Sequence, residues 1–406
     1  LSEKELKMCG ISGILLKKGI VNKNYLKHAN ITMRHRGPDG EDIWIAKDKC
    51  VGFSHVRLSI VDLKSRSNQP FEIDNGNYVI VFNGEIYNYL ELKEKYLDKF
   101  NLKYKTTSDT EILLYMYKYY GTKCLIYLKG MFAFAIYDKK KKTTFIARDV
   151  VGQKPIIYTC DDKGFYFASE IPALFQLNKN LIKEIDESSM KLFLLNNFHH
   201  IPSPYTIFKN IYKLEPSSYM IIKNGSIIEK IKYFEIGKIK KYSKKEDILT
   251  NRLKLMEPKE VNYGAFLSGG IDSSYICANL NKTNPNISAY TLKVDSNNDN
   301  DYKQSKYVSK KINMTQNIIN VDKINILKTI EEIVEQYGEP YYHRTSIYAD
   351  AILKKVKLDS HKVMFTGAGG DEIYYGYDNL TFLLIETFLK IKKIFPIYEI
   401  CNTKKI

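Results

Sequence analysis

Two patterns in this chain could do chemistry. The first is Gly264-Ala265-Phe266-Leu267-Ser268-Gly269-Gly270-Ile271-Asp272-Ser273-Ser274. An apolar run over 261–267 leads into it and a helix is predicted over 272–280, so the glycines occupy a strand-to-helix turn. Such a turn binds anions. Gly269 and Gly270 let the backbone approach closely, the first N–H groups of the helix lack internal partners, and Ser268, Ser273 and Ser274 add hydroxyl donors. Phosphate loops usually carry Lys at the helix start; Asp272 stands there instead, which suits Mg²⁺ on pyrophosphate better than bare phosphate oxygens. A Gly-Ser turn without chemical consequence is the plain alternative, and the agreement of strand, loop and helix speaks against it.

The second pattern begins at Met8-Cys9. Met before Cys is a site from which an initiator can be removed, leaving Cys9 terminal. Its α-amine, of pKa about 7.7–8.0, would then stand beside its own thiol, so one residue supplies general base and nucleophile. Alone, Cys9 reads more readily as a structural cysteine at the start of a strand. Five polar strings follow: Arg34-His35-Arg36-Gly37-Pro38-Asp39-Gly40, Arg57-Leu58-Ser59-Ile60-Val61-Asp62, Asn83-Gly84-Glu85-Ile86-Tyr87-Asn88, Thr107-Ser108-Asp109-Thr110-Glu111 and Arg148-Asp149-Val150-Val151-Gly152-Gln153-Lys154-Pro155. Each has a structural reading as well: Arg57 as a surface ion-pair partner, Asp109 as a helix N-cap, Asn83-Gly84 as a hairpin turn. Arg34, Arg36 and Arg148 with Asp149 read as structural pairs.

Elements must position these groups. Short alternating runs at 52–60, 78–82, 131–137, 143–147, 156–159, 165–168, 219–222 and 227–233 predict strands, and helical patterns fall at 23–33, 87–96 and 110–119. The expected fold here is α+β, two packed β-sheets with outer helices. A Lys-rich stretch at 238–246 reads as a linker. Beyond it strands (261–267, 289–294, 317–321, 362–366) alternate with helices (272–280, 303–312, 324–336, 347–357), which predicts a doubly wound parallel sheet binding ligands at its C-terminal strand ends. One such end carries Thr366-Gly367-Ala368-Gly369-Gly370-Asp371-Glu372, a second Gly-rich loop with paired carboxylates; a helix cap is its structural reading.

Composition narrows the class. The chain has 406 residues and a net charge of +16, but 55 of its 62 basic residues are lysines spread over surface-like segments, so a solvated face is expected and no nucleic-acid partner. Only seven arginines occur, four of them inside the polar strings, where planar bidentate geometry has a use. No run reaches the roughly 18 apolar residues of a membrane span, and the apolar stretch 380–397 is broken by charges. Six scattered cysteines without a CxxC pair give neither disulfide framework nor zinc site. A cytoplasmic protein is expected.

The 264–274 loop resembles the pyrophosphate loop of the ATP pyrophosphatase superfamily. Cys9 with the five polar strings closely resembles the N-terminal-nucleophile glutaminase domain of class II amidotransferases, in the order and spacing of the asparagine synthetase family. The resemblance covers 9–234 and 246–380. It implies a glutaminase domain over 9–234, a linker over 235–248 and an ATP pyrophosphatase domain over 249–406 that is cut short, with 1–8 as an extension. It implies that Cys9 attacks the side-chain amide of glutamine, with the oxyanion held by the Asn83 side chain and the Gly84 N–H; Arg57 would grip the substrate carboxylate, Glu85 and Asp109 its ammonium, and the backbone of Arg57, Leu58, Ser59, Ile60 and Val61 would line the pocket. By the same resemblance Leu267, Leu292, Thr366 and Gly367 contact ATP, Asp272 and Asp371 hold Mg²⁺ on pyrophosphate, aspartate is adenylated at its β-carboxylate, and ammonia reaches it by an internal path. Arg344 is a candidate for gripping a substrate carboxylate or phosphate. Glutamine, aspartate and ATP are thus the expected small-molecule partners, and a second copy of the chain the expected assembly partner.

Three departures bear on this. Cys9 is not residue 1, so the glutaminase chemistry requires that 1–8 be absent from the working protein. Position 368 is Ala where the family often carries Glu, which puts the acceptor in question. The chain stops soon after the second Gly-rich loop, with one helix expected at 380–395. Two rival readings follow: an amidotransferase of the same build with a different carboxylate acceptor, and a non-catalytic homologue serving as a binding subunit.

Overall fold

The computed structural model describes residues 8–195, 200–235, 246–294, 300–321, 324–341 and 344–374. The chain forms two compact units, Leu1–Asn262 with Val321–Lys362, and Tyr263–Asn320 with Val363–Ile406.

The first unit is built on two six-stranded antiparallel sheets. Strands β1 (Gly10–Leu16), β2 (Gly40–Ile45), β3 (Val51–Arg57), β8 (Ile157–Cys160), β9 (Gly164–Ala168) and β10 (Tyr212–Lys213) form one, in the order β10-β8-β9-β1-β3-β2. The other has the order β12-β11-β7-β6-β5-β4, from β4 (Phe71–Ile73), β5 (Tyr78–Ile86), β6 (Gly130–Asp138), β7 (Thr143–Arg148), β11 (Ser218–Lys223) and β12 (Ser226–Lys232). Period-2 alternation decides which face each residue serves. In β5, Val79 and Val81 join Ile11, Phe53 and Phe167 of the opposite sheet in the layer between the sheets, while Ile80 and Phe82 point outward. There they meet α3 (Asp109–Tyr120), which contributes Ile112, Leu113 and Met116. The outer face of the first sheet is covered by α1 (Lys23–Met33) and α4 (Ile171–Leu177) through Leu26, Ala29, Met33 and Leu174. The layers are therefore helix, sheet, sheet, helix, the expected sandwich, and burying each large apolar side chain contributes about 1.5–3 kcal/mol.

Three local findings differ from the sequence reading. The helix expected at 87–96 is only α2 (Tyr89–Leu92), continued by a π-helical turn over Lys93–Leu97. Leu92 and Leu97 are both fully buried and five residues apart, a spacing that the wider i→i+5 turn brings onto one face. Asn83-Gly84 is not a hairpin turn: both residues lie inside β5 and pair with Ala133 and Phe132 of β6. Asp109 is not the N-cap of α3, because the cap is Ser108, whose Oγ accepts from the Thr110 N–H. Strands β2 and β4 and helices α4, α5 (Glu187–Leu195) and α6 (Glu246–Met256) were not expected; short or charge-interrupted, they carry weak periodicity.

Helices α9 (Ile326–Tyr337) and α10 (Arg344–Leu358) also belong to this unit.

The second unit carries a parallel sheet, order β15-β14-β13-β16, of β13 (Tyr263–Phe266), β14 (Ser288–Lys293), β15 (Thr315–Asn320) and β16 (Val363–Phe365). Helices α7 (Ile271–Thr283) and α8 (Asn300–Lys311) follow β13 and β14, and the short α11 (Gly370–Tyr374) follows β16. Chain order runs from β13 toward β15 on one side and returns to place β16 on the other. The switch point thus lies between β13 and β16, and the loops leaving these two strands flank the crevice where open α/β sheets take their ligands. The helix expected at 380–395 lies outside the described residues. Among the described residues no helix is long and apolar enough to cross a membrane, and the five cysteines are free.

Candidate functional site

Cys9 immediately precedes β1 and is fixed from three directions. Arg36 Nε donates to its carbonyl at 3.0 Å, the Leu58 N–H donates to its Sγ at 3.3 Å, and Sγ lies 3.5 Å from the Leu58 carbonyl. Arg36 is buried and its Nη1 sits 2.7 Å from Glu170 Oε1, which also contacts His35 Nε2 at 3.0 Å. Burial alone would raise the Glu170 carboxyl, but its bonds to His35 and Arg36 and their charges hold it below the ordinary value. Burial pushes the Cys9 thiol up to about 11, against the Leu58 N–H and the charges of Arg57 and Lys154, which favour the thiolate. With Met8 attached, the thiol is therefore protonated at neutral pH.

Arg57 ends β3 and is buried. Its Nη1 donates to Lys64 O and Asn68 Oδ1, both at 2.9 Å, and its Nη2 to Asp62 O at 2.5 Å and Val61 O at 3.4 Å. The guanidinium thus winds loop 58–68 around itself. Asp62, at φ 50°, closes the loop: its carboxylate accepts from the Thr107 N–H and from Arg66 Nε, each at 2.9 Å, and is pulled to about 2 although burial opposes this. Leu58 and Ser59 are buried, Ile60 and Val61 half-buried.

Asn83 is 1% exposed, yet its Nδ2 has no hydrogen-bond partner. A buried amide donor left open costs about 1–3 kcal/mol unless something completes it. Gly84 follows at φ +155°, and a Cβ there would stand 2.1 Å from Met131 O, so no other residue fits. Glu85 and Asp109 form a carboxylate pair. Burial first, and then the Asp109 charge, raise Glu85 well above the carboxylate range. Burial likewise raises Asp109, although its Oδ2 accepts from the Ile86 N–H at 2.9 Å. Two such carboxyls side by side are an invitation to a cation.

Sequence reasoning gave no role to Lys154, which is 7% exposed. Its Nζ contacts Met8 Sδ at 3.1 Å; burial and then Arg36 push its ammonium down to about 8, while Cys9, Glu85 and Asp149 pull the other way. Asp149 and Arg148 are not paired with each other in the hydrogen bonds that shape loop 149–154. Asp149 accepts from the N–H groups of Phe132, Gln153 and Lys154, and Arg148 donates to the carbonyls of Gly152, Lys154 and Leu214. That loop delivers Lys154. The signal available was a lysine locked between a Gly turn and Pro155. Arg34 forms an exposed ion pair with Glu41. A cavity of about 630 Å³ opens beside Met8, Arg36 and Glu170 and is walled on its far side by Ile333 and Tyr337 of α9 and Leu353 of α10.

In the second unit the 267–270 loop is tied by its own hydroxyls. Ser268 Oγ and Ser273 Oγ lie 2.9 Å apart, the Gly270 N–H donates to Ser268 Oγ at 3.3 Å, and Ser273 Oγ donates to Gly270 O at 3.1 Å. Leu267 is buried and bonded to Tyr290 O, with its own carbonyl taken by Thr291 Oγ1. Ser274 Oγ is buried without a partner. Asp272 lies against the second Gly-rich loop: a Cβ on Gly370 would meet its Oδ2 at 2.3 Å, so the close approach requires glycine. Thr366, Gly367, Ala368 and Asp371 are in that loop and the first turn of α11, and Leu292 lies in the C-terminal half of β14. The structure thus gathers Leu267–Ser274 with Gly367 and Gly370. Among the described residues no three His, Cys, Asp or Glu side chains group to hold a metal. Asp272 and Asp371 fit Mg²⁺ of the kind that takes one or two carboxylates and completes its shell with phosphate oxygens and water. The Arg344 backbone opens α10, and its side chain lies outside the described residues.

Two family profiles match this chain, and their boundary does not follow the two compact units, since residues 321–362 belong to the first unit. A family profile for a glutamine amidotransferase domain matches residues 8–234, and one for asparagine synthase matches 248–392. The chain is 34% identical over 400 residues to a Methanocaldococcus jannaschii protein named as a glutamine-hydrolysing asparagine synthetase, covering 91% of this chain and 76% of that one. It is 30% identical to asparagine synthetase (glutamine-hydrolysing) 1 of Bacillus subtilis, covering 91% of this chain and 59% of that one. It is 28% identical to amidase chry2 of Gibberella zeae, covering 91% and 60%. The chain therefore spans about three fifths of the length of the second and third of these relatives.

Proposed function

Because the chain belongs to the glutamine-hydrolysing asparagine synthetase family, a glutamine amidotransferase domain followed by an asparagine synthase domain, we propose that it transfers the amide nitrogen of glutamine to the β-carboxyl of aspartate at the expense of ATP. The observation that carries the first half is the buried, partnerless Nδ2 of Asn83 beside Gly84 on a strand that also bears Glu85.

Once residues 1–8 are gone, the Cys9 α-amine takes the thiol proton and Sγ attacks the side-chain carbonyl carbon of glutamine. The oxyanion accepts hydrogen bonds from Asn83 Nδ2 and the Gly84 N–H, donors already aimed and desolvated. As the intermediate collapses, the α-ammonium returns its proton to the leaving nitrogen, ammonia departs, and water hydrolyses the thioester to glutamate and free Cys9. Glu85 and Asp109 face the substrate ammonium; Arg57 supplies positive charge to its carboxylate while its Nη groups keep loop 58–68 wound. The cavity beside Met8 and Arg36 is the route by which ammonia leaves.

In the second half, Leu267, Leu292, Thr366 and Gly367 contact ATP, and the N–H groups and hydroxyls of 268–274 cradle its pyrophosphate. Asp272 and Asp371 would hold Mg²⁺, which when bound neutralises charge on the phosphates. An oxygen of the aspartate β-carboxylate attacks the α-phosphorus, pyrophosphate leaves, and ammonia then displaces AMP from the acyl carbon. Arg344 is the candidate to grip the acceptor carboxylate or a phosphate, and the working assembly is a dimer of this chain. Ala368 favours a second reading, in which another carboxylate is the acceptor.

ATP–pyrophosphate exchange with a panel of carboxylic acids tests the assignment. Exchange that depends on aspartate supports it; exchange with another acid alone moves the chain to the second reading, and none at all points to a non-catalytic subunit. Intact mass followed by labelling with an electrophilic glutamine analogue tests the glutaminase half: the label must land on a terminal Cys9.

A further inference from the structure

The loop from Arg57 to Asp62 is held from inside by the Arg57 guanidinium, which leaves the outward peptide groups of Ser59 and Asp62 to be satisfied from elsewhere. Two residues do this. The Asp62 N–H donates to Glu260 Oε1 at 3.0 Å. Lys362 Nζ donates to the Ser59 carbonyl at 3.1 Å and to Asp39 Oδ2 at 2.6 Å, and the same Asp39 oxygen accepts from the Ser59 N–H at 2.8 Å. Both peptide groups of Ser59 and the N–H of Asp62 are thereby fixed, and between them lie Ile60 and Val61. Asp62 itself sits at φ 50°, in the left-handed region that a non-glycine residue keeps only where neighbours enforce it.

Neither Glu260 nor Lys362 falls inside the glutamine amidotransferase match, which ends at residue 234. Glu260 stands three residues before β13 and Lys362 one residue before β16, and the Lys362 N–H is bonded to Asn262 O at 3.1 Å. These are the N-terminal roots of the two strands whose other ends carry the Gly-rich loops.

We propose that Glu260 and Lys362 are positioning residues for glutamine hydrolysis: lying in the sequence matched by the asparagine synthase profile but within the first unit, they clamp the Ser59 and Asp62 peptides so that the backbone from Arg57 to Val61 is presented to glutamine in one conformation. The proposal rests on the reading of 57–61 as the glutamine loop. Neither side chain touches substrate or the Cys9 thiol, so each acts on binding and leaves the chemical step alone. Glu260 acts as a hydrogen-bond acceptor and needs no charge; Lys362 acts as a double donor, a task an arginine also performs.

The test uses the full chain with a mature Cys9 terminus and measures glutamate release against glutamine concentration for wild type, Glu260→Ala, Glu260→Gln, Lys362→Met and Lys362→Arg. Loss of one hydrogen bond to a partly exposed loop raises KM by about 3- to 10-fold, so Glu260→Ala and Lys362→Met are expected to show that rise with kcat within about twofold of wild type. Glu260→Gln and Lys362→Arg are expected to return to the wild-type KM. If wild type itself shows no saturable hydrolysis of glutamine, the glutamine-loop reading fails. If wild type saturates and all four variants share its KM, or if Glu260→Gln is as impaired as Glu260→Ala, the clamp is refuted while that reading stands.

Discussion

Replacing Glu85 by Gln should weaken glutamine binding and at the same time stabilise the empty protein. In the free site burial raises both Glu85 and Asp109, and the Asp109 charge raises Glu85 further, to about 8, so at neutral pH the pair retains a proton. A bound ammonium pulls that proton off. Glutamine affinity should therefore rise with pH through the range above the ordinary carboxylate value, as the pair gives up its proton. A carboxylate about 4 Å from an ammonium, at an effective dielectric near 20, contributes about 4 kcal/mol. Glu85→Gln does not forfeit all of it, because the wild-type pair must first give up its retained proton and hold two carboxylates together, which offsets about half. The net loss is about 2 kcal/mol, or about a 30-fold rise in KM, with the pH dependence moved to lower pH. Stability changes in the opposite sense. Between its unfolded and its raised folded value Glu85 holds more proton in the native state than in the unfolded one, so stability falls as pH rises through that interval and the deficit is complete above it. Removing the carboxylate should raise Tm at pH 8 and leave it nearly unchanged at pH 4. Steady-state glutamate release from pH 5.5 to 8.5, with thermal melts at both ends, reads both effects. A variant whose KM stays within twofold of wild type, with the same pH slope and no gain in Tm at high pH, would refute the idea that the pair awaits an ammonium.

Asn83→Ala should lower glutaminase kcat by about 10²–10³, the usual loss of one oxyanion donor, and leave synthesis from added ammonia intact; equal loss in both assays would mean a folding defect. Lys154→Met removes a buried cation beside the nucleophile, so the Cys9 thiol rises further and alkylation by a glutamine analogue at pH 7 should slow about tenfold, recovering at higher pH, with Lys154→Arg retaining most of the rate. Asp272→Asn should abolish ATP–pyrophosphate exchange while glutamine hydrolysis persists, and exchange at the wild-type rate would remove Asp272 from the nucleotide site.

How much of this was legible in the sequence follows from which forces act locally. The short apolar runs in 78–82 and 131–137 located β5 and β6 because both faces of each strand are buried and rich in β-branched and aromatic residues, and the 3.6-residue pattern of α1 matched its bounds because Leu26, Ala29, Met33 and the Asn22 cap are all encoded within eleven residues of each other. The SGG-x-DSS loop was legible for the same reason: strand, turn and helix N-terminus are consecutive. What the sequence did not reveal was set by long-range packing. Asn83-Gly84 has the local chemistry of a turn, but nine consecutive pairings with β6 override it. The helix expected at 87–96 gives way to a π turn because two leucines five apart must reach one core.

The same distinction explains the residues that had no assigned role. Lys154, Glu170, Glu260 and Lys362 are individually unremarkable in a chain with 55 lysines and many acids. Their significance arises from partners 134 to 323 positions away: Lys154 lies beside Met8, Glu170 receives Arg36, Lys362 reaches Asp39. Arg36 shows the consequence most clearly. Read as a structural pair, it proves to donate to the carbonyl of Cys9 through Nε while its Nη1 is anchored on Glu170, so the backbone of the nucleophile is set by an ion pair formed 134 residues apart. The residues that carry out bond making are conspicuous because the reaction restricts their type, whereas those that hold them in place are restricted only by geometry and become visible once the chain is folded.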